Sequence, residues 1–122
     1  MNVSVDLAFW LLCATVALGS ALALPYLGVT ARRLPWLVRT VHGMLGTVSL
    51  GTLLLALQRG LPPSAMGTAG FGLAAAAFIG LALILGLAIV FFRVRPPGIV
   101  VAFHAGLAVA GFVVLWTVVS LG

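Results

Sequence analysis

Apolar residues fill four long runs of the chain, and a short polar break separates each run from the next. We place the runs at Leu7–Gly28, Trp36–Leu57, Thr68–Phe92 and Gly98–Leu121. A helix rises about 1.5 Å per residue, so about 20 residues cross a hydrocarbon core about 30 Å thick. Lipid offers no hydrogen-bond partner to an open backbone, which favours helices. The pattern therefore predicts four transmembrane helices.

The three breaks, at residues 30–35, 58–63 and 93–97, combine arginine with proline. Proline ends a helix because it lacks a backbone N–H, and arginine supplies a polar turn. The first run also contains Pro25, where we expect the helix to bend. This run has no basic segment before it and carries Asp6 near its start. We therefore expect a retained first helix and not a cleaved leader.

The composition narrows the protein class. The chain is 64% hydrophobic and 6% charged, with a mean hydropathy of +1.36. Soluble domains carry about 25% charged residues and disordered chains are polar, so both classes are excluded. The single cysteine, Cys13, rules out an internal disulfide framework. We predict an all-α membrane protein, a four-transmembrane-helix up-down bundle that forms one domain over residues 1–122.

The charges predict an orientation. All six cationic residues are arginine, and Asp6 is the single acid. Charges spread among apolar runs form no nucleic-acid-binding face, so we expect no nucleic-acid partner. The first and third breaks hold four of the six arginines, and a fifth, Arg39, lies just after the first break. Because positive residues favour the cytoplasmic side, we expect these two loops inside, both termini outside, and a bacterial inner membrane as the location.

The two halves of the chain resemble each other. A shift of 62 positions places residues 33–45 on 95–107, where Arg, Pro, Val, His and Leu coincide. This indicates a duplicated two-helix unit, with halves near 1–61 and 62–122. The match superimposes His42 on His104, the only two histidines of the chain. Helices two and four run in the same direction, so both histidines lie about 9 Å below the same membrane boundary.

Two histidines at one depth need an explanation. Ionisable residues inside a membrane are costly and are usually functional. Helices two and four of an up-down bundle can face each other diagonally, and neither offers an acid as partner. A haem iron held between His42 and His104 would satisfy both. The second ring nitrogen of each would then bond to a backbone carbonyl or to a hydroxyl such as that of Thr40 or Thr47.

Small and basic residues surround the histidines. Glycine and alanine near each ligand, and at the same depth on helices one and three, would make room for the macrocycle. Haem propionates would find arginines in the nearest loops, and Arg39, one turn before His42, is suited to donate to one. The predicted cofactor-binding residues are His42 and His104 as iron ligands, with Arg39, Arg33, Arg95 and Gly46 around them.

With its two histidines, adjacent glycines and basic loops, the chain resembles the membrane-embedded b-type cytochromes. Those proteins hold haem between histidines of two helices, and in the cytochrome b of quinol oxidoreductases these are the second and fourth. The resemblance implies haem b and electron transfer. Those cytochromes also carry a second histidine about four turns further along each helix. Here the corresponding positions hold other residues, so the expectation is a single haem: Leu55, Ala56, Thr117 and Val118.

Three functions remain open at this point. The first is a single-haem b-type cytochrome, an electron-transfer, anchor or accessory subunit of a larger respiratory or photosynthetic complex. A partner or membrane quinone would supply its electrons, and it would not be an enzyme by itself. The second is a small four-helix transporter, against which the absence of a mid-helix carboxylate counts. The third is a cofactor-free accessory subunit, whose histidines only join helices. Another metal, or a magnesium-centred pigment, is a further alternative for the pair.

Overall fold

The computed structural model describes residues 5–61, 67–91 and 97–121. It contains four helices: α1 (Val5–Ala23), α2 (Trp36–Gln58), α3 (Ala69–Phe91) and α4 (Gly98–Leu121). All four are long and apolar enough to cross a membrane. The predicted all-α four-helix class is confirmed, and the chain is an integral membrane protein whose outer faces contact lipid. The bounds of α2, α3 and α4 agree with the hydropathy pattern to within one residue.

The first helix ends earlier than predicted. We expected a helix bent at Pro25 and continuing to Gly28, but α1 stops at Ala23. Proline disfavours helical geometry in the residue before it, which is Leu24. A turn follows, in which the Tyr26 and Leu27 amides both donate to the Ala23 carbonyl. Gly28 then takes a φ of +72°, the left-handed conformation in which helices commonly end. The hydropathy pattern missed this end because the turn is itself apolar.

The helices form two antiparallel hairpins. Helix α1 packs tightly along α2, and α3 packs tightly along α4. The hairpins meet each other less extensively, through α2 against α3 and α1 against α4. The remaining pairs, α1 with α3 and α2 with α4, lie diagonally across the bundle, and their backbones do not come into close contact. The bundle therefore contains a seam between its hairpins.

The core occupies only one half of the bundle. At one end of the bundle α1 and α3 finish and α2 and α4 begin. We call this part the arginine-side half, and it consists of residues 16–23, 36–45, 83–91 and 98–110. No residue in these four ranges is buried. The buried apolar side chains all lie in the other part, the remote half: Ala8, Phe9, Leu12, Leu53, Ala56, Ala75, Ala76, Ile79, Ala82, Leu115 and Val118. The hairpins are thus closely packed at one end only.

An aromatic cluster joins the hairpins in the remote half. Phe9 of α1 stacks on Phe112 of α4, with ring centroids 5.5 Å apart and planes 22° apart. Trp116 meets both rings edge-on, at 5.8 Å from Phe9 and 6.0 Å from Phe112. Such contacts add to the energy of simple apolar burial. This aromatic clasp fixes the α1–α4 side of the seam.

The two hairpins bury equivalent positions. The difference in residue number between equivalent positions is not the same for the two pairs of helices. Residues of α2 correspond to those of α4 at the predicted shift of 62, and residues of α1 correspond to those of α3 at a shift of 67. The chain between α1 and α2 is longer than that between α3 and α4, which accounts for the change of shift. The buried pairs are Ala8 with Ala75, Phe9 with Ala76, Leu12 with Ile79, Thr15 with Ala82, Ser49 with Gly111, Leu53 with Leu115, and Ala56 with Val118.

A candidate cofactor site between the hairpins

The structure brings the two histidines together across the seam. His42 lies on α2 and His104 on α4, each six residues after the first residue of its helix. Their ring centroids are 6.1 Å apart, and the ring planes are 76° apart. Both side chains are half-buried and lie in the arginine-side half. The diagonal helices therefore meet at one depth through these two rings.

Each imidazole is held by the first helix of its own hairpin. His42 Nδ1–H donates to the Thr15 carbonyl at 2.9 Å, and His104 Nδ1–H donates to the Ala82 carbonyl at 2.7 Å. A carbonyl can only accept, so both Nδ1 atoms must carry the proton. In a neutral imidazole the lone pair then belongs to Nε2. A histidine that ligates a metal has this arrangement, with its other nitrogen donating to a carbonyl or carboxylate.

The Nε2 atoms have no hydrogen-bond partner among the described residues. Within the described part of the chain, the side chain of each histidine makes one hydrogen bond, through Nδ1. Among the described residues, every side-chain nitrogen or oxygen that is fully enclosed by the protein has a hydrogen-bond partner. The unpartnered Nε2 atoms are therefore not fully enclosed by the protein. Two lone-pair donors are therefore available to a ligand.

Two glycines make room for the rings. A Cβ built on Gly19 of α1 would lie 2.8 Å from His42 Cε1, and one built on Gly86 of α3 would lie 3.1 Å from His104 Cε1. Both distances are shorter than ordinary contacts of a side-chain carbon. Gly19 and Gly86 are equivalent under the shift of 67, as are Thr15 and Ala82. The two halves thus seat their histidines in the same way.

The separation of the two rings is compatible with one metal ion bound between them. A metal–imidazole bond is about 2 Å long and the nitrogen lies about 1 Å from its ring centroid, so two imidazoles on opposite sides of one ion have centroids about 6 Å apart. The observed 6.1 Å agrees with this. No group of three or more His, Cys, Asp or Glu side chains occurs within residues 5–61, 67–91 and 97–121. A protein-only site takes about four ligands, whereas haem brings four nitrogens and needs two from the protein.

Two of the three predicted arginines, Arg39 and Arg33, fall within the described residues. Arg39 is exposed on α2, one turn before His42, and Arg33 is exposed in the segment before α2. Both stand at the membrane end nearest the histidines. Arg95 falls outside the described residues. The proposed contacts between arginines and propionates stay a prediction.

Gly46 has a packing role in the first hairpin. It is buried on α2, and a Cβ there would lie 3.4 Å from Thr15 Cγ2 of α1. The hydroxyls of Thr40 and Thr47 donate to carbonyls of their own helix, those of Trp36 and Gly43. Of the two kinds of partner expected for the second ring nitrogen, the structure contains the backbone carbonyl.

The sequence pattern did not indicate Thr15, Gly19 or Ala82. A uniform shift of 62 sets Gly19 beside Leu81, so the shared glycine is not visible. The shift of 67 aligns Gly19 with Gly86, and would have shown that each hairpin carries a glycine at the level of its histidine.

No family model matches this chain, and no curated protein or solved structure is detectably similar to it. The geometry of the histidine pair is therefore the main guide to its function.

Proposed function

We propose that the protein is a single-haem b-type membrane cytochrome that transfers electrons within a larger respiratory or photosynthetic membrane complex. His42 and His104 would hold the iron through their Nε2 atoms. When bound, haem supplies a one-electron ferric–ferrous couple. The protein supplies the ligands, their orientation and an apolar surrounding.

One observation carries this proposal. Two imidazoles from diagonal helices lie 6.1 Å apart, and hydrogen bonds of 2.9 and 2.7 Å leave Nε2 of each as the free donor atom. Two unpartnered ring nitrogens in an apolar surrounding cost free energy, which a bound ligand would remove. The arginine-side half around them contains no buried residue. A flat apolar group would supply the packing that this half lacks.

The ligand set favours electron transfer over gas binding. Two histidine ligands, His42 and His104, would leave the iron without a site for dioxygen or another small ligand. The pair lies near the arginine-bearing end, which the positive-inside rule makes the cytoplasmic side. One haem at that depth leaves most of the membrane uncrossed. A partner subunit or a quinone would therefore complete the electron path.

The test is a dithionite-reduced minus oxidised absorption spectrum of the protein purified in mild detergent. We expect a sharp low-spin b-type α band, which both His42→Ala and His104→Ala abolish. Val48→Ala on α2 and Val109→Ala on α4 are matched controls, since both side chains are exposed. These controls keep the band.

The opposite result is equally clear. A wild-type preparation without Soret absorption, both as isolated and after incubation with haemin, would reject the cytochrome. The histidines would then join helices or handle protons, as in the accessory or transporter alternatives. A band that survives both histidine substitutions would reject these ligands.

A further inference from the structure

We infer that Gly19 and Gly86 are positioning residues, which let each histidine reach a helix carbonyl that already has a partner and so fix Nε2 as its ligand atom. This inference rests on the proposed function, because Nε2 is a ligand atom only if the histidines bind haem. Its geometry concerns the protein alone and can be tested without haem.

The spacing of the contacts is the same in both halves. The accepting carbonyls belong to Thr15 and Ala82, and the glycines lie four residues later, at positions 19 and 86. In a helix the carbonyl of residue i accepts the amide of residue i+4. The side chain of i+4 leans back toward the N-terminus, over that carbonyl. A side chain at i+4 therefore crowds a bulky second donor such as imidazole, and glycine removes this obstacle.

The distances show that alanine would crowd both rings. At Gly19 the added carbon would lie 2.8 Å from His42 Cε1 and 3.4 Å from Nδ1, the donor atom itself. At Gly86 the corresponding distances to His104 are 3.1 and 3.5 Å. A methyl group at either position pushes the ring away from its carbonyl. Nδ1–H then loses its acceptor, and the proton is free to move to Nε2.

The side chain of residue 15 is not required for this bond. The Thr15 hydroxyl donates to the Leu11 carbonyl at 2.8 Å, within its own helix. The equivalent residue, Ala82, has no polar side chain. Backbone carbonyl and glycine are therefore what the two halves share, and the residue that contributes the carbonyl is free to vary.

The test uses full-length protein labelled with ¹⁵N-histidine, in detergent without haem. Since the chain has two histidines, their side-chain signals can be assigned with His42→Ala and His104→Ala. At a pH where the rings are neutral, we expect a protonated Nδ1 and an unprotonated Nε2 in both, the minor tautomer of free histidine in water. Predominantly protonated Nε2 in the wild type would overturn the inference without any variant.

The variants separate positioning from folding. We expect Gly19→Ala to change the tautomer of His42 alone and Gly86→Ala to change that of His104 alone, so the other histidine reports whether the bundle is intact. Gly51→Ala and Gly106→Ala are controls, because nothing lies within 4 Å of a Cβ at either position. Thr15→Ala should also leave both tautomers unchanged. Glycine variants that behave like the controls would overturn the inference.

Haemin titration completes the test. Loss of a hydrogen bond to a ligating histidine lowers metal affinity by about 10–100-fold. We expect that loss for Gly19→Ala and Gly86→Ala, and unchanged affinity for Gly51→Ala and Gly106→Ala. If wild-type protein shows the expected tautomers but binds no haemin, the positioning role stands and the cytochrome proposal fails. If haemin binds but the glycine variants retain full affinity, the positioning role fails and the cytochrome stands.

Discussion

Small residues determine how closely the helices of each hairpin approach. Gly111 of α4 is the clearest case, because a Cβ there would lie 2.8 Å from Ile79 Cγ1 and 3.3 Å from the Ile79 backbone nitrogen. A backbone atom cannot move aside as the end of a flexible side chain can. Close approach of this kind drives helix association in lipid. Lipid tails are as apolar as the helix surfaces, so the hydrophobic effect does not bring the helices together and van der Waals packing must do so.

We therefore predict that Gly111→Ala destabilises the bundle by about 1–3 kcal/mol, the usual cost of overpacking. Gly51→Ala is the control, since its Cβ would meet open space, and we expect it to be neutral or slightly stabilising because alanine favours helix. Equilibrium unfolding in mixed micelles, followed by tryptophan fluorescence, gives both values. Equal stability of the two variants would contradict the close α3–α4 contact.

At the scale of elements, the sequence predicted the helices better than their contacts. Runs of about 20 apolar residues fix a transmembrane helix by length alone, and the arginine–proline breaks located three of the four helices closely. The end of α1 was wrong because hydropathy cannot distinguish an apolar turn from a helix. The histidine pair was predictable because its residues are rare in this chain. Its carbonyl and glycine partners were not, since any apolar helix offers many of both.

The aromatic clasp gives a prediction at this scale. Phe9→Ala removes the ring that contacts both Phe112 and Trp116, so the α1–α4 contact should weaken. We expect a loss of about 1–3 kcal/mol, less than the about 3–5 kcal/mol of a water-soluble core, because separated helices stay in lipid. Micelle unfolding measures the loss. Phe71→Ala, at an exposed ring, should cost little, and a similar cost for both would rule out the clasp.

On the scale of the whole molecule, the asymmetry of charge predicts one orientation. Arg32, Arg33 and Arg39 are exposed at the end nearest the histidines, and Arg59 lies at the other end. Each basic residue favours the cytoplasmic side. The bundle should therefore insert with both termini outside.

A reporter that is active only outside the cytoplasm, fused after Gly122, tests this orientation. We expect high activity from the wild-type fusion and reduced activity when Arg32, Arg33 and Arg39 are all replaced by glutamine. The Arg59→Gln fusion is the matched control and should keep the wild-type value. Activity restricted to a cytoplasmic reporter would reverse the assignment, and with it the side on which haem is placed.

The repetition of a hairpin, as opposed to a single helix, has a geometric consequence. If the repeated unit crossed the membrane an odd number of times, the second copy would start from the opposite face of the membrane. That copy would be inverted, and its histidine would lie in the other leaflet. Two crossings return the chain to its starting face, and the copy then repeats the first unit by a rotation about the membrane normal. Helices α2 and α4 consequently descend in parallel from one surface. A pair of helices is thus the smallest unit whose tandem repetition sets two identical side chains at the same height on either side of a shared axis.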